Sequence, residues 1–240
     1  MFLYINSFLY IYKLYNNINM VNLVLITSIV NTPNKPLSYT NTRSVFSRNE
    51  RFEQTKLTIQ SIKAKIPNHK ILLVECSDFN EEEKLYFEKE CDYILNLYNN
   101  KELHCNIFGL SKALGEGTLT SQGFRYLNEN NISYTNLFKI SGRYWLNDKF
   151  DYNIFNNEML IFKKINDNNI STVLYKFPHH IQEMLHVFLK DNYNNMKKNF
   201  IGYETLFSNF LKSIKYNNTI LFDKLGVSGY VTVCGSFYEA

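Results

Sequence analysis

The sequence predicts an α/β protein with a doubly wound, mostly parallel central sheet, flanking helices and a small C-terminal β/α portion. Short apolar runs at residues 21–26, 70–74 and 137–140 are typical of buried parallel strands. Segments of helical length separate these runs, and this alternation predicts one α/β sheet. Because 45% of the 240 residues are apolar, we expect a single large domain over 20–240.

The first two strands are joined by a well-marked helix. After residues 21–26 comes a long polar loop, and then Ser47 and Glu50 form the capping-box pattern that begins a helix. Pro67 ends this helix, and residues 70–74 form the second strand. Crossovers of this kind are right-handed, so we expect the two strands to be parallel.

Two further strand–helix steps follow. Asp78 opens a second capping pattern for a helix over 79–90, and residues 92–97 predict a short third strand. A polar turn at 112–116 then precedes a helix over 117–130. A glycine within that helix allows it to pack closely on the sheet.

Beyond residue 150 the elements are shorter. Residues 158–163 and 171–177 predict two strands that form a hairpin or an edge pair. An amphipathic helix is expected over 179–189, and a last helix begins after Gly202. Residues 226–237, which are bounded by glycines, predict a final strand.

Composition narrows the class of partner. The net charge is +4 and the basic residues are scattered, so we expect no nucleic-acid surface, whereas an anionic small molecule fits. The four cysteines form no CxxC pair and have no metal-ligand spacing, which indicates buried free thiols and a cytoplasmic location. The abundance of Asn, Lys, Ile and Tyr is typical of an AT-rich genome, including viral ones.

Residues 1–19 are apolar but are interrupted by Asn6, Ser7 and Lys13. The stretch is too short and too broken for a membrane span, and it has no small-residue cleavage site. We therefore expect no transmembrane span. The segment is interpreted as an N-terminal extension or an upstream translated stretch with Met20 as the start; a peripheral anchor at a membrane surface is the alternative.

The predicted strand at 137–140 runs directly into Ser141, Gly142 and Arg143. Open α/β sheets bind ligands at the carboxyl ends of their strands. A glycine there lets a ligand approach the backbone, and an arginine offers a forked donor to phosphate or carboxylate. We expect a ligand site at this point; the alternative is a turn closed by Gly142 with Arg143 in a surface ion pair.

The order of these segments resembles the glycosyltransferases of the GT-A fold, especially the large inverting family 2 that uses nucleotide-sugar donors. ERFEQTKLTIQSIKAKIP followed by ILLVECSD is similar to the family's nucleoside pocket, which implies that Glu75 and Asp78 lie near the base or ribose. IGYETLFSNFLKSI resembles the segment that carries the catalytic base, which implies that Glu204 is this base. The resemblance covers roughly residues 20–215.

The chain departs from this family at one motif. The Asp-x-Asp that holds a metal on the diphosphate reads Ser-Gly-Arg within NLFKISGRYWLND. Serine and arginine do not replace two carboxylate ligands of Mg²⁺ or Mn²⁺. The resemblance then implies that Arg143 and Lys112 neutralise the departing diphosphate, with no metal assigned. Mg²⁺ or Mn²⁺ held by Asp148 or Asp151 is the alternative.

The remaining candidate site residues are chosen by their place in the sequence relative to the predicted strands and helices. Donor-binding residues are expected at Arg43, Glu75, Asp78, Lys112, Ser141, Gly142 and Asp148. Arg48 and Arg51 are expected to be solvated surface charges. His179 or His180 is expected to contact the acceptor, whereas the face that His179 shares with His186 is expected to be solvated rather than metal-binding.

These residues predict a transferase that moves a hexose or related sugar from a nucleotide sugar to a hydroxyl of a glycan or another acceptor. The alternative is a non-catalytic module that binds a nucleotide sugar or a glycan on the same fold. Each carboxylate also has a structural interpretation: Asp78 as a helix cap, Glu75 as a surface charge and Glu204 as a partner of the helix dipole. A nucleotidyltransferase is disfavoured, because TSIVNTPNKPLSYTNTR lacks the Gly-rich basic loop such enzymes need after their first strand.

Overall fold

The computed structural model of the protein describes residues 21–214 and 218–240. The predictions for residues 1–19 lie outside the described residues. In the part of the chain that the structure describes, no helix is both long enough and apolar enough to cross a membrane.

The described residues form two β-sheets and eight α-helices. The strands are β1 (Asn22–Ser28), β2 (His69–Glu75), β3 (Tyr93–Asn96), β4 (Asn136–Ser141), β5 (Tyr144–Leu146), β6 (Leu160–Asn166), β7 (Asn169–Pro178), β8 (Thr219–Phe222), β9 (Val227–Tyr230) and β10 (Phe237–Glu239). The helices are α1 (Arg48–Lys65), α2 (Glu81–Glu90), α3 (Lys101–Ile107), α4 (Lys112–Glu129), α5 (Tyr152–Phe155), α6 (Gln182–Asp191), α7 (Tyr193–Lys198) and α8 (Tyr203–Ile214). A 3₁₀ turn, His179–Ile181, precedes α6.

The central sheet has seven strands in the order β3-β2-β1-β4-β7-β6-β8. The first four are mutually parallel. β7 is antiparallel to both of its neighbours, and β8 is parallel to β6, so β7 is the one reversed strand of this sheet. A second, antiparallel sheet has the order β10-β9-β5. The predicted fold class, an α/β protein with a mostly parallel central sheet and flanking helices, is confirmed.

Helices cover both faces of the central sheet because its strands are buried on both sides. Leu23 and Leu25 of β1 belong to the core beneath α4, α6 and α8. Val24 and Ile26 point to the other face and belong to the core beneath α1 and α2. This arrangement explains the uninterrupted apolar run in β1, since a strand with two buried faces needs no polar alternation.

Several local predictions are confirmed. The Ser47 side chain and Glu50 form the capping box of α1. In α4, a Cβ at Gly123 would lie 2.4 Å from Leu25 Cδ1, so the absence of a side chain is what lets this helix pack closely on the sheet.

Two helix starts differ from prediction. The N-cap of α2 is Asn80, which exchanges hydrogen bonds with Glu83 at 2.9 Å in both directions; Asp78 lies outside this cap. Residues 112–116 are not a turn but the first turn of α4, because Ser111 caps the helix there. Helix α3 was not predicted.

The C-terminal half contains three further differences. β6 and β7 form the expected hairpin, but β7 lies inside the sheet, next to β4, rather than at an edge. Residues 226–237 hold β9 and the turn that leads to β10, not one strand. The helix expected over 179–189 is the 3₁₀ turn His179–Ile181 followed by α6 (Gln182–Asp191). The cysteines are free as predicted, but only Cys76 is buried.

The small sheet is fixed by glycines with left-handed backbones. Gly226 has φ +73°, and a Cβ there would lie 2.3 Å from the backbone N of Phe150. Gly235, in the turn between β9 and β10, has φ +72°, but its Cβ would meet nothing closer than Val45 Cγ2 at 3.3 Å. The two positions have the same backbone requirement and differ in the space available.

This difference predicts unequal costs of substitution. Gly226→Ala is expected to lower the free energy of unfolding by about 2–4 kcal/mol, because a left-handed backbone penalty adds to a steric clash. Gly235→Ala, the matched control, is expected to cost only about 1–2 kcal/mol for its backbone. Urea unfolding of both variants measures the difference, and equal losses would contradict the close approach at Phe150.

Candidate functional site

A cavity of about 370 Å³ opens at the carboxyl end of β4. Four of the residues predicted for the site line it, and they come from different elements: Lys112 from the start of α4, Ser141 and Arg143 from the end of β4 and the turn after it, and Glu204 from the start of α8. The strand order places the end of β4 beside β1 in the interior of the sheet. The fold therefore brings two cations and a carboxylate together at the edge where α/β sheets bind ligands.

Lys112 lies in the first turn of α4 and is open to the cavity. Within the described residues it has no hydrogen bond and no ion pair. Its pKa is lowered, first by desolvation and then by the nearby charge of Arg143. An anion in the cavity would gain from this ammonium and from the positive end of the α4 dipole.

Arg143 lies between β4 and β5. Its guanidinium carbon is 5.1 Å from the centre of the Tyr144 ring, and its Nε is buried without a hydrogen-bond partner. Over residues 21–214 and 218–240 it forms no ion pair, so the alternative of a surface ion pair is wrong. The guanidinium therefore lies at the cavity with N–H donors that are available to a ligand.

Glu204 is the second residue of α8 and is half-buried in the cavity wall. Its carboxylate has no hydrogen bond or ion pair with any other described residue. The phenol of Tyr39 has a raised pKa, first through its partial desolvation at the cavity mouth and secondly through the charge of Glu204. A carboxylate in this position is free to accept a proton from a bound hydroxyl.

An ion pair lies beneath the cavity. Lys139 of β4 is fully buried and donates to Glu116 of α4, as well as to Ser141 Oγ at 2.9 Å and the carbonyl of Thr172 at 3.2 Å. Thr27 Oγ1 donates to the same Glu116 oxygen at 2.7 Å. Burial alone would raise the pKa of Glu116, but Lys139 and the Thr27 hydroxyl outweigh it and lower the pKa.

Sequence reasoning did not identify this pair. The sequence predicts Lys139 within the apolar strand at 137–140 and Glu116 within the polar turn at 112–116, and neither prediction indicates a pair. The signal that could have found them is a lysine inside a strand buried on both faces, since such a lysine needs a carboxylate partner.

The two carboxylates predicted for the nucleoside do not line the cavity. Glu75 is fully buried and accepts hydrogen bonds from Val30 N, Cys76 N and Ser77 Oγ. Burial raises its pKa. It braces the loop after β1 and is not a surface charge. Asp78 remains partly exposed beyond the end of β2, where Asn31 Nδ2 donates to it at 2.6 Å.

The arginines of the first loop and helix have roles that differ from prediction. Arg43 donates to four backbone carbonyls, those of Lys35, Pro36, Ile107 and Gly109, so it ties the loop to the end of α3. Arg48 pairs with Glu83 at 2.6 Å and with Asp78 at 3.6 Å. Arg51, which was expected to be solvated, is only 5% exposed.

Two other donor candidates, Gly142 and Asp148, do not line the cavity. Gly142 is buried, and a Cβ there would lie 2.8 Å from Ser28 Cβ. The missing side chain therefore allows close packing against Ser28, and its expected role in ligand approach stays a prediction. Asp148 is fully exposed and pairs with Lys65 at 3.3 Å. It follows β5, outside the cavity lining.

The histidines lie at the opposite edge of the sheet. Pro178, at the end of the reversed strand β7, pairs with Asn136 at the beginning of β4. His179 and His180 follow directly, and the His179 ring packs on Tyr134 at 4.8 Å. They are therefore remote from the carboxyl edge where an acceptor would meet the cavity. His186 is buried rather than solvated, and burial lowers its pKa.

The cavity mouth carries two exposed aromatic side chains that the sequence analysis missed. Tyr39 is 61% exposed and Phe200 is 45% exposed, and both line the cavity. Phe200 also has a left-handed backbone, with φ 51°. A bulky residue in that conformation is uncommon and is found where the surroundings fix it, often at functional sites.

The cavity does not offer the ligands of a hard divalent cation. Its lining contains two carboxylates, of which Glu116 is already paired with Lys139, and Lys112 and Arg143 lie beside them. No group of three His, Cys, Asp or Glu side chains suited to a metal ion occurs among residues 21–214 and 218–240. Since Mg²⁺ and Mn²⁺ prefer several oxygen ligands, this cationic site fits an anion better.

The buried pair generates a stability prediction. Glu116→Gln is expected to lower the free energy of unfolding by about 3 kcal/mol, because Lys139 would remain buried without its counter-charge. Glu129→Gln is the matched control in the same helix: its pair with Arg125 is exposed, so we expect a loss of about 0.5 kcal/mol or less.

Adding Lys139→Met to Glu116→Gln should recover much of the loss, and urea unfolding measures all four proteins. Because the folded-state pKa of Glu116 is lowered, its contribution is present above the unfolded pKa and is lost as the pH falls. Equal losses for the two glutamine variants would contradict the buried pair.

This chain has structural neighbours but no match at the level of sequence. No protein-family model matches it, and no curated protein sequence does. Among solved structures, it is similar to the crystal structure of a glycosyltransferase involved in the glycosylation of the major capsid of PBCV-1. The TM-score is 0.46 with 10% sequence identity, over 85% of this chain and 82% of that chain. A similarity of this degree carries no argument about activity, which must be inferred from the cavity itself.

Proposed function

We propose that the protein is a glycosyltransferase that moves a sugar from a nucleotide-sugar donor to an acceptor hydroxyl. The observation that carries the proposal is the convergence of Lys112, Arg143 and Glu204 on one cavity at the carboxyl edge of the sheet. Two unpaired cations suit a departing diphosphate, and an unpaired carboxylate suits a base.

Lys112 and Arg143 are assigned to the diphosphate. A planar guanidinium can donate to two phosphate oxygens at once, and the ammonium adds a point charge. The N-terminus of α4 adds a favourable dipole. Stabilising the charge that develops on a leaving diphosphate is a large part of such catalysis. These groups would take the place of a metal, which the lining does not favour.

Glu204 is assigned as the general base. It would take the proton of the acceptor hydroxyl while that oxygen bonds to the anomeric carbon of the sugar. The bond from this carbon to the diphosphate oxygen breaks, and its electron pair leaves with the diphosphate. Positioned bases of this kind contribute about 10²–10⁴-fold to rate.

The nucleoside and the acceptor are assigned by position. Asp78 is retained for the nucleoside because it is partly exposed at the end of β2, whereas Glu75 is not, since it is buried with its own partners. Tyr39 and Phe200 are assigned to the acceptor in place of the histidines. Exposed aromatic rings can stack on the apolar face of a sugar, with Tyr39 adding a hydroxyl.

A binding module without activity is the second candidate. It is favoured by the divergence of the chain at the Asp-x-Asp position, where two metal ligands are replaced. The two candidates share the donor contacts and differ in the role of Glu204, and this difference can be tested.

Substitution of the two key residues separates enzyme from binding module. Arg143→Lys is expected to weaken donor binding about tenfold or more and to lower turnover, because lysine lacks the planar fork. Glu204→Gln is expected to lower turnover about 10²–10⁴-fold with donor affinity nearly intact. Titration calorimetry with nucleotide sugars and a turnover assay measure the two effects.

Arg125→Lys and Glu129→Gln are matched controls, because these residues form an exposed pair on α4 away from the cavity. Both should leave binding and turnover unchanged. Tight donor binding without turnover, and without response to Glu204→Gln, would identify the binding module. Failure to bind any nucleotide sugar would contradict both candidates.

Metal independence is a separate prediction. Donor affinity and turnover are expected to be the same in EDTA as in buffer, because fixed cations occupy the place of a metal in this scheme. A metal-dependent transferase assayed in the same EDTA buffer serves as the positive control. If Mn²⁺ restores an activity that EDTA abolishes, the scheme is wrong and carboxylates such as Asp148 or Asp151 must be reconsidered as ligands.

A further inference from the structure

A second, smaller cavity of about 70 Å³ adjoins the first and shares Lys112, Glu116 and Arg143 with it. Its other walls come from the loop after β1, the first turns of α1 and the turn after β9. A cavity of roughly 10–15 Å³ holds one water molecule, so this one has room for a larger polar group.

The cavity collects buried polar atoms that have no partner. Of the nine such side-chain atoms among the described residues, four belong to residues that line it: Thr32 Oγ1, Arg51 Nη1, Arg143 Nε and Thr232 Oγ1. Unsatisfied buried polar groups are rare in folded proteins, because each costs about 1–3 kcal/mol. These four atoms come from four separate segments around one space, and each can donate a hydrogen bond, so the cavity is suited to a group that accepts hydrogen bonds.

Among these residues, Arg51 has a buried charged side chain without an ion pair among the described residues. It is 5% exposed, and its Nε donates to the carbonyl of Ile29, which fixes the direction of the guanidinium. Burial, followed by the charge of Arg143, lowers the pKa of Arg51 to about 9. An anion between the two guanidinium groups would relieve both the burial cost and the repulsion.

The charges around the cavity favour an anion. The carboxylate on its wall, Glu116, is engaged by Lys139 and Thr27. Arg51, Lys112 and Arg143 form no ion pair among the described residues, although the charge of buried Glu75 acts on Arg51 from nearby. Arg43 also lines the cavity, but its donors are used by backbone carbonyls. The first turn of α4 lies against the same space and contributes its dipole.

We propose that this second cavity is a phosphate subsite, in which Arg51, Arg143, Thr32 and Thr232 hold one phosphoryl group of the donor's diphosphate. The proposal rests on the proposed function for the identity of the donor, but the subsite itself requires only a phosphate. Arg51, which the sequence analysis treated as a surface charge, becomes a donor-binding residue.

The test uses inorganic pyrophosphate and isothermal titration calorimetry on the full chain. The wild-type protein is expected to bind pyrophosphate, and Arg51→Met is expected to weaken binding at least tenfold. Arg48→Met is the matched control in the same helix, because Arg48 pairs with Glu83 and does not line the cavity; it should bind like the wild type.

Arg51→Met removes a buried hydrogen bond and can fail to fold, so Thr232→Val provides a second variant. It keeps the shape and the charges and removes one hydroxyl, and it is expected to weaken pyrophosphate binding by a factor of about 3–10. Absence of pyrophosphate binding, or equal binding in the wild type and in Thr232→Val, would overturn the proposal and assign the cavity to water.

The outcomes distinguish this inference from the proposed function. Pyrophosphate binding that depends on Arg51 or Thr232, in a protein that binds no nucleotide sugar, would support the subsite and contradict the transferase. Nucleotide-sugar turnover that is unaffected by Arg51→Met and Thr232→Val would support the transferase and overturn the subsite.

Discussion

The buried pair between Lys139 and Glu116 is the interaction on which the candidate site depends. It joins β4 to α4 through the floor of the cavity. The proposed diphosphate ligands lie close by, Lys112 in α4 and Arg143 in the turn after β4. An ammonium in a strand buried on both faces is costly unless it is paired and hydrogen-bonded. The pair, together with Ser141, Thr172 and Thr27, satisfies that requirement and fixes the spacing between the two elements.

This pairing also decides the character of the cavity. Glu116 would otherwise offset one of the cations on the wall, but its charge is balanced from below by Lys139. The cations that face the two cavities are therefore left with an excess of positive charge. A site of this type attracts a multiply charged anion.

The strand–helix alternation up to residue 146 could be predicted because each element there carries its own pattern and, in α1, its own cap. Arg143 could be placed at the cavity by the rule that ligands bind at the carboxyl edge, whereas Lys112 and Glu204 were expected there only from the family resemblance. What could not be predicted depends on contacts between distant segments. Tertiary packing determines the burial of Arg51 and Glu75, the pairing of Lys139 and the position of β7 beside β4. No local sequence pattern predicts these features. The histidines were misplaced for the same reason, because the direction of β7 decides which edge they reach.

The hydrogen bonds of Arg43 affect how the wall of the second cavity can move. Its guanidinium donates to backbone carbonyls of two segments, the loop after β1 and the junction of α3 and α4. Segments that share one hydrogen-bonding group cannot open independently without leaving its donors unpaired. The loop and the junction should therefore behave as one cooperative unit in local unfolding, with similar opening free energies in native-state hydrogen exchange. Entry of a donor would then require the loop after β1 and the junction of α3 and α4 to move together.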